Sequence, residues 1–252
     1  MLNGLITAIR TLTILPIPGQ DTDDFPSTLY WFVPVGLLLG SILYLISWLI
    51  GLMEGPAWHE GTAVLILVVG IFLTRGFHLD GLADFADGFW GGYDREKTLA
   101  IMKDSFIGTF AVVALVLILL AKWVVLVRLL ETNQTIWIVA AFVTSRTVLV
   151  ELTACMPYAR ENGTAALFVR GSGVKHRLVA LVSASALLYL IFDIAGLILL
   201  MIGLIFSRLF GLWCLKRVGG ITGDLLGTSC ELTETLVYFL AVIYEIGFSS
   251  YF

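Results

Sequence analysis

Charge is what this sequence has least of: 13% of its 252 residues are Asp, Glu, Lys or Arg, against 59% hydrophobic. An ordinary soluble domain carries about 25% charged and about 45–50% apolar residues. That ratio excludes a water-soluble globule, and the mean hydropathy of +0.96 agrees. Six prolines, 25 glycines and three cysteines are too few for a disordered tail, a collagen or a disulfide scaffold. Cys155, Cys214 and Cys230 are too widely spaced for a CxxC metal clip and read as buried hydrophobes. No GxxxxGK[S/T] phosphate loop occurs. A formal net charge of −4 supplies no cationic field, so nucleic acid is not expected as a partner.

What the chain has instead is long apolar runs. A membrane-spanning helix needs about 20 mostly apolar residues, and candidates lie at roughly 30–53, 62–77, 106–130, 135–157, 178–192, 195–215 and 232–248. The expected fold is therefore all-α: a polytopic helical membrane protein of about seven transmembrane helices, one domain over residues 1–252, with its active-site loops on the cytoplasmic side. The fifth and sixth candidates form one run from Leu178 to Leu215. As a single helix it would be about 57 Å long, nearly twice the hydrocarbon thickness, so a turn is expected around Asp193 and Gly196. The opening MLNGLITAIRTLTILPIPG, interrupted by Arg10 and stopped by Pro16 and Pro18, has no small-residue cleavage site after it. It reads as a retained short helix lying in the interface or packed on the bundle.

The basic residues test this topology, because short cytoplasmic loops are enriched in Lys and Arg. With seven spans and the N-terminus inside, the cytoplasmic regions hold Arg10; Arg75, Arg95, Lys97 and Lys103; Arg160, Arg170, Lys175 and Arg177; and Arg208, Lys216 and Arg217. The opposite regions, near 54–61, 131–134, 193–194 and 249–252, hold none, and Lys122, Arg128 and Arg146 fall within spans. Polar chemistry has room in the two long cytoplasmic loops expected at about 78–105 and 158–177.

In the first of these, His78-Leu-Asp-Gly-Leu-Ala-Asp-Phe-Ala-Asp-Gly88 sets Asp80, Asp84 and Asp87 at i, i+4 and i+7, within about 60° on a helical wheel. Like charges this close raise one another's pKa unless a cation neutralises them. Mg²⁺ does so well, since it prefers carboxylate oxygens together with substrate phosphates and water. The plainer alternative is a solvated acidic helix end. Apolar Leu82, Ala83, Phe85 and Ala86 between the acids favour a buried face opposite a functional one. His78 is either a member of this site or a polar helix end.

Further on, Asp104 and Ser105 in MKDSFIGTF either join the site or cap the next helix. A second polar segment, Gly219-Gly220-Ile-Thr222-Gly223-Asp224-Leu-Leu-Gly227 with Glu231 following, can bring backbone amides close to phosphate oxygens. Alone it is a turn; it becomes a second acidic anchor because topology puts Asp224 on the same side as the first three acids. Within the fourth span, Arg146 and Glu151 are five residues apart and point about 140° away from each other. Arg146 must then find a substrate phosphate or a carboxylate on another helix, while Glu151 reads as structural.

HLDGLADFADG, MKDSFIGTF and GGITGDLLG, in this order, with RTLTILPIP near the start, resemble the cobalamin synthase family, also called adenosylcobinamide-GDP ribazoletransferases. The resemblance spans most of the chain. It implies a Mg²⁺-dependent transfer in which the hydroxyl of α-ribazole, or of its 5′-phosphate, displaces GMP from adenosylcobinamide-GDP to give cobalamin or its 5′-phosphate. It implies catalytic and metal-binding roles for Asp80, Asp84 and Asp87, a further metal ligand in Asp224, and substrate binding by His78, Asp104, Ser105, Gly219, Gly220, Thr222 and Gly223, to which the reading of the fourth span adds Arg146 as a candidate for a substrate phosphate. The implied setting is the cytoplasmic (inner) membrane of a prokaryote, with the site facing the cytoplasm. A homo-oligomer, or an association with other corrinoid-pathway enzymes, stays open. Two other enzyme classes hang Asp clusters at membrane helix ends. CDP-alcohol phosphotransferases have Ala-Arg after their DG, where Ala86-Asp87-Gly88 is followed here by Phe89-Trp90. Prenyltransferases want two separated Asp motifs and a long apolar tunnel. A cation-coupled transporter would instead place its acids near the bilayer midplane at broken helices.

Overall fold

A computed structural model describes residues 2–53 and 58–249. Residues 54–57 and 250–252, which the topology above puts on the non-cytoplasmic side, lie outside the described residues. The described chain is helical: α1 Leu2–Leu12, a 3-10 turn Phe25–Trp31, α2 Phe32–Gly51, α3 His59–Leu73, α4 Phe77–Gly91, α5 Arg95–Ile101, α6 Thr109–Glu131, α7 Trp137–Cys155, α8 Ala166–Val169, α9 Val174–Val218 and α10 Gly223–Ser249. Among the described residues the one β feature is an isolated parallel bridge between Tyr158 and Ile221.

Helix α7 is the axis of the bundle. It is apolar on nearly every face and buried from Trp137 to Val150, as an all-round hydrophobic helix must be. Against it pack α2, α9 and α10. α1 buries Ile6, Ala8 and Leu12, so it packs on the bundle as its sequence suggests.

The long element α9 doubles back. Arg177 near its start pairs with Glu151 of α7 at 2.8 Å, and Phe192 stacks on Trp137, at the other end of α7, at 4.2 Å. Beyond the turn, Gly203 comes against Thr144, and Gly211 against Leu152 and Met156. The reversal occurs at Asp193, the one residue of α9 with non-helical geometry (φ 53°, ψ −141°), where the sequence places it. By length and composition five helices qualify as spans: α2 with the turn before it, α6, α7, α9 counted once, and α10. α3 and α4 together make a sixth, bent by 90°. The chain thus differs from seven separate spans because no loop divides 178–192 from 195–215.

The sharp bend between α3 and α4 corrects a second expectation. The acids do not lie in a loop: residues 77–91 are helical, and the stripe of Leu82, Phe85 and Phe89 is buried with Phe210, Cys214 and Leu225. That apolar face is what drives the segment to fold as a helix. Turned at a right angle to α3, α4 packs across the first turns of α10 and against α6.

Candidate active site

The site is built where α4 crosses the first turns of α10. Gly81 makes the crossing close: a Cβ there would sit 2.6 Å from the carbonyl oxygen of Asp224 and 2.9 Å from its Cα. Thr228 Oγ1 donates to the Gly81 carbonyl at 3.0 Å, tying the two backbones together, and Gly227 lies against the backbone of His78. Small residues at a helix crossing allow this approach. Its consequence is that Asp80 and Asp84, on either side of Gly81 along α4, meet Asp224 from a motif about 140 residues later.

The electrostatics record the meeting. Burial first, then the charges of Asp224 and Asp80, push Asp84 from its ordinary value of 3.8 up to about 7, with Arg160 opposing. Arg160 pairs with Asp224 at 2.8 Å. His78 is buried at the same crossing, its backbone against Gly227. Beside these residues opens a cavity of about 480 Å³ bordered by Asp80, Asp224, Gly223 and His78, with Arg10 and Arg75 at its edge. Among the described residues, no three His, Cys, Asp or Glu side chains are gathered closely enough to hold a metal ion on their own.

Two acidic motifs, one facing cavity and a membrane bundle are the setting for the comparison with known proteins. The family model described as cobalamin-5-phosphate synthase matches residues 4–242. The chain belongs to this family. It is 47% identical over 254 residues to the adenosylcobinamide-GDP ribazoletransferase of Chlorobaculum parvum, covering 99% of both chains. It is 47% identical over 251 residues to that of Chlorobaculum tepidum, covering 98% of both. The more distant Clostridium tetani relative of the same name is 33% identical over 248 residues, covering 96% of this chain and 97% of its own. No solved structure matches. Membership makes the chain an enzyme of cobalamin synthesis embedded in a membrane.

Within this cobalamin-5-phosphate synthase fold, several residues singled out by sequence have other occupations. Asp87 turns away from the cavity: its carboxylate accepts from Gly108 N at 2.5 Å and Ala111 N at 3.0 Å, anchoring the positive end of α6. Asp104 and Ser105 are exposed between α5 and α6, and neither borders the cavity. Among the described residues Asp104 accepts from Phe106 N, at 3.3 Å, and the cap position of α6 is Gly108. Gly219 and Gly220, with φ of 84° and 153°, form the turn from α9 to α10. That turn is pinned to residues 157–159 by Ile221 N donating to Pro157 O at 2.9 Å and Ala159 N donating to Ile221 O at 2.8 Å. They shape the connection, whereas Gly223 and Asp224 reach the cavity. Thr222 is buried and its Oγ1 accepts from Leu225 N at 3.3 Å, capping α10.

Arg146 is wholly buried in α7 and ion-paired with Glu234 of α10. It meets a carboxylate of another helix, one of the two partners expected for it. Glu231 and Glu234 both accept from Lys122 of α6, at 2.6 and 2.7 Å. Glu231 therefore belongs to a buried ionic cluster joining α6, α7 and α10, which sequence reasoning missed, along with the Arg160–Asp224 pair. Charges removed from water persist only when paired in this way. Glu151 is structural as expected, held by Arg177.

The raised pKa of Asp84 has a sign that can be tested without substrate. A carboxylate whose folded-state pKa lies above its unfolded value is penalised when ionised, so stability falls as pH rises from about 4 to about 7 and the penalty is complete above that. In EDTA and detergent, Asp84→Asn is expected to melt above wild type at pH 8, with the gain shrinking toward pH 4. Equal melting at pH 8 would refute the crowding of carboxylates around Asp84.

Proposed function

We propose that this enzyme transfers the adenosylcobinamide-phosphate part of adenosylcobinamide-GDP to the hydroxyl of α-ribazole or its 5′-phosphate, releasing GMP. The observation that carries this reading is the backbone contact of Gly81 with Asp224, which unites the two acidic motifs at one edge of one cavity. Phosphoryl transfer depends on positioning and on neutralising charge more than on covalent chemistry. A set of acids, one arginine and a cavity suits it.

The donor set suits Mg²⁺. Asp80, Asp84 and Asp224 offer hard oxygens, and their open spacing fits an ion that keeps several waters and shares the substrate's phosphates, not one caged by protein. Asp80 and Asp224 would hold it with Asp84 adjacent. When bound, Mg²⁺ neutralises the diphosphate and polarises the phosphorus under attack. Asp84 receives the proton of the attacking hydroxyl, and Arg160 orients Asp224 through their ion pair. Asp87 contributes by fixing α6 beside α4. The chain works as one domain.

The site faces the cytoplasm of a prokaryotic inner membrane. The motivation is the one-sided distribution of Lys and Arg together with the fold-back of α9, which counts as two passes and restores seven. Single cysteines placed at Asn133 and Asp193 are expected to react with an impermeant reagent on intact cells, and one at Asn162 is not; the opposite pattern would reverse the orientation.

The reaction itself is tested by incubating membranes holding the protein with adenosylcobinamide-GDP. GMP is expected only when both α-ribazole and Mg²⁺ are present. GMP formed without acceptor, or none with it, would defeat the assignment.

A further inference from the structure

The cavity beside Asp80 and Asp224 has two unlike ends. One is the charged edge already described. The other is a wall of Phe25, Phe32 and Phe168 backed by Leu12 and Leu149. Phe25 and Phe168 meet edge-to-face at 5.5 Å and 82°, and Phe32 lies 6.2 Å from Phe168. Both Phe25 and Phe168 are half-buried, so each leaves part of its ring surface open beside the pairing. Ala165 joins the ends: it borders the cavity, is buried, and its methyl lies 3.7 Å from where a Cβ on Gly223 would stand.

Resting on the reaction proposed above, we infer that this cavity is the acceptor's subsite: the flat base of α-ribazole lies against Phe25, Phe32 and Phe168, and its ribose hydroxyls face Asp80 and Asp224. Size is the first reason. About 480 Å³ is within the range of sites for small molecules, roughly 300–1,000 Å³, and accommodates a nucleoside. A corrin macrocycle fringed with amides is several times larger, so the corrinoid end of the donor stays outside the mouth.

Chemistry is the second reason, because the donor also carries a flat base. Guanine has a polar edge whose burial against an apolar wall is costly, and the five wall side chains offer neither donor nor acceptor; beyond them and the charged edge the lining adds the hydroxyls of Thr11, Thr153 and Thr164. The carboxylates able to read that edge lie at the rim, where the diphosphate is handled. A dimethylated benzimidazole has no exocyclic polar group and gains from edge-to-face and stacked contacts with phenylalanine. Its sugar is then directed to Asp80 and Asp224, beside which Asp84 receives its proton.

The test is equilibrium dialysis of α-ribazole and, separately, GMP against the full-length protein in lipid nanodiscs, without donor. Phe168→Ala removes part of the wall, and Ala165→Leu fills the cavity beside Gly223 while keeping all three aromatic side chains. Each is expected to weaken α-ribazole binding by roughly tenfold or more and to leave GMP binding unchanged. Loss of GMP binding with α-ribazole retained would make the cavity the donor's, and no change in either ligand would remove it from the site; both overturn the inference. Should wild-type protein release GMP in the assay above while both variants bind α-ribazole normally, this inference alone fails. Should wild type neither bind α-ribazole nor release GMP, the reaction assignment fails with it.

Discussion

Asp84→Asn and Asp224→Asn are each expected to lower turnover by roughly 10²–10⁴-fold, the usual loss when an acid–base group or its electrostatic partner is removed. The double variant should be little worse than the poorer single, because groups that act on the same phosphoryl centre lose their contributions together. Asparagine keeps the volume, and Asp84 is crowded by like charge, so the Asp84 variant is expected to insert and fold. Activity per folded molecule in detergent is the measurement. Independent, multiplicative losses would mean that Asp224 serves somewhere other than beside Asp84. A drop in folded protein with unchanged specific activity for Asp224→Asn would reduce it to a structural partner of Arg160.

Much of this was legible because helical periodicity and hydropathy are local properties of a sequence. The apolar runs became α2, α3, α6, α7, both arms of α9 and α10, and the reversal near Asp193 followed from length alone, since no bilayer accommodates a straight helix of α9's 45 residues. Asp80 and Asp84 share a stripe for the same reason, and their meeting with Asp224 agrees with the topology expected from the apolar runs.

The failures are all questions of who meets whom. Asp87 has the same spacing as its neighbours, and only the path of the chain at 108–111 turns it into an anchor for α6. Arg146 was readable as a buried cation but not as the partner of Glu234, 88 residues away. A charge balance within the spans held a usable signal. Lys122 and Arg146 need two carboxylates at membrane depth, and Glu231 and Glu234, three residues apart on one face of α10, supply them. With each of these acids held by a fixed cation, the cluster also lacks the open carboxylate that a cation-coupled transporter would use at mid-bundle.

Gly81 is the residue on which geometry and function depend most directly. In the interior of a helix, alanine is preferred to glycine by about 1 kcal/mol, so Gly81→Ala strengthens α4 taken alone. Its methyl would stand 2.6 Å from the Asp224 carbonyl and 2.9 Å from that residue's Cα, and backbone cannot swing aside as a long side chain can. The helices must part, and the hydrogen bond from Thr228 to the Gly81 carbonyl is lengthened with them. Displacing catalytic groups by about 1 Å costs on the order of 100-fold in rate, and that loss is expected for Gly81→Ala while the amount of inserted, folded protein stays near wild type. The matching control is Gly51→Ala, at the end of α2, where an added methyl meets nothing within 4 Å and turnover should be unchanged. Full activity in Gly81→Ala would mean that the contact between α4 and α10 does not set the distance between the two acidic motifs, and the shared site would fall with it.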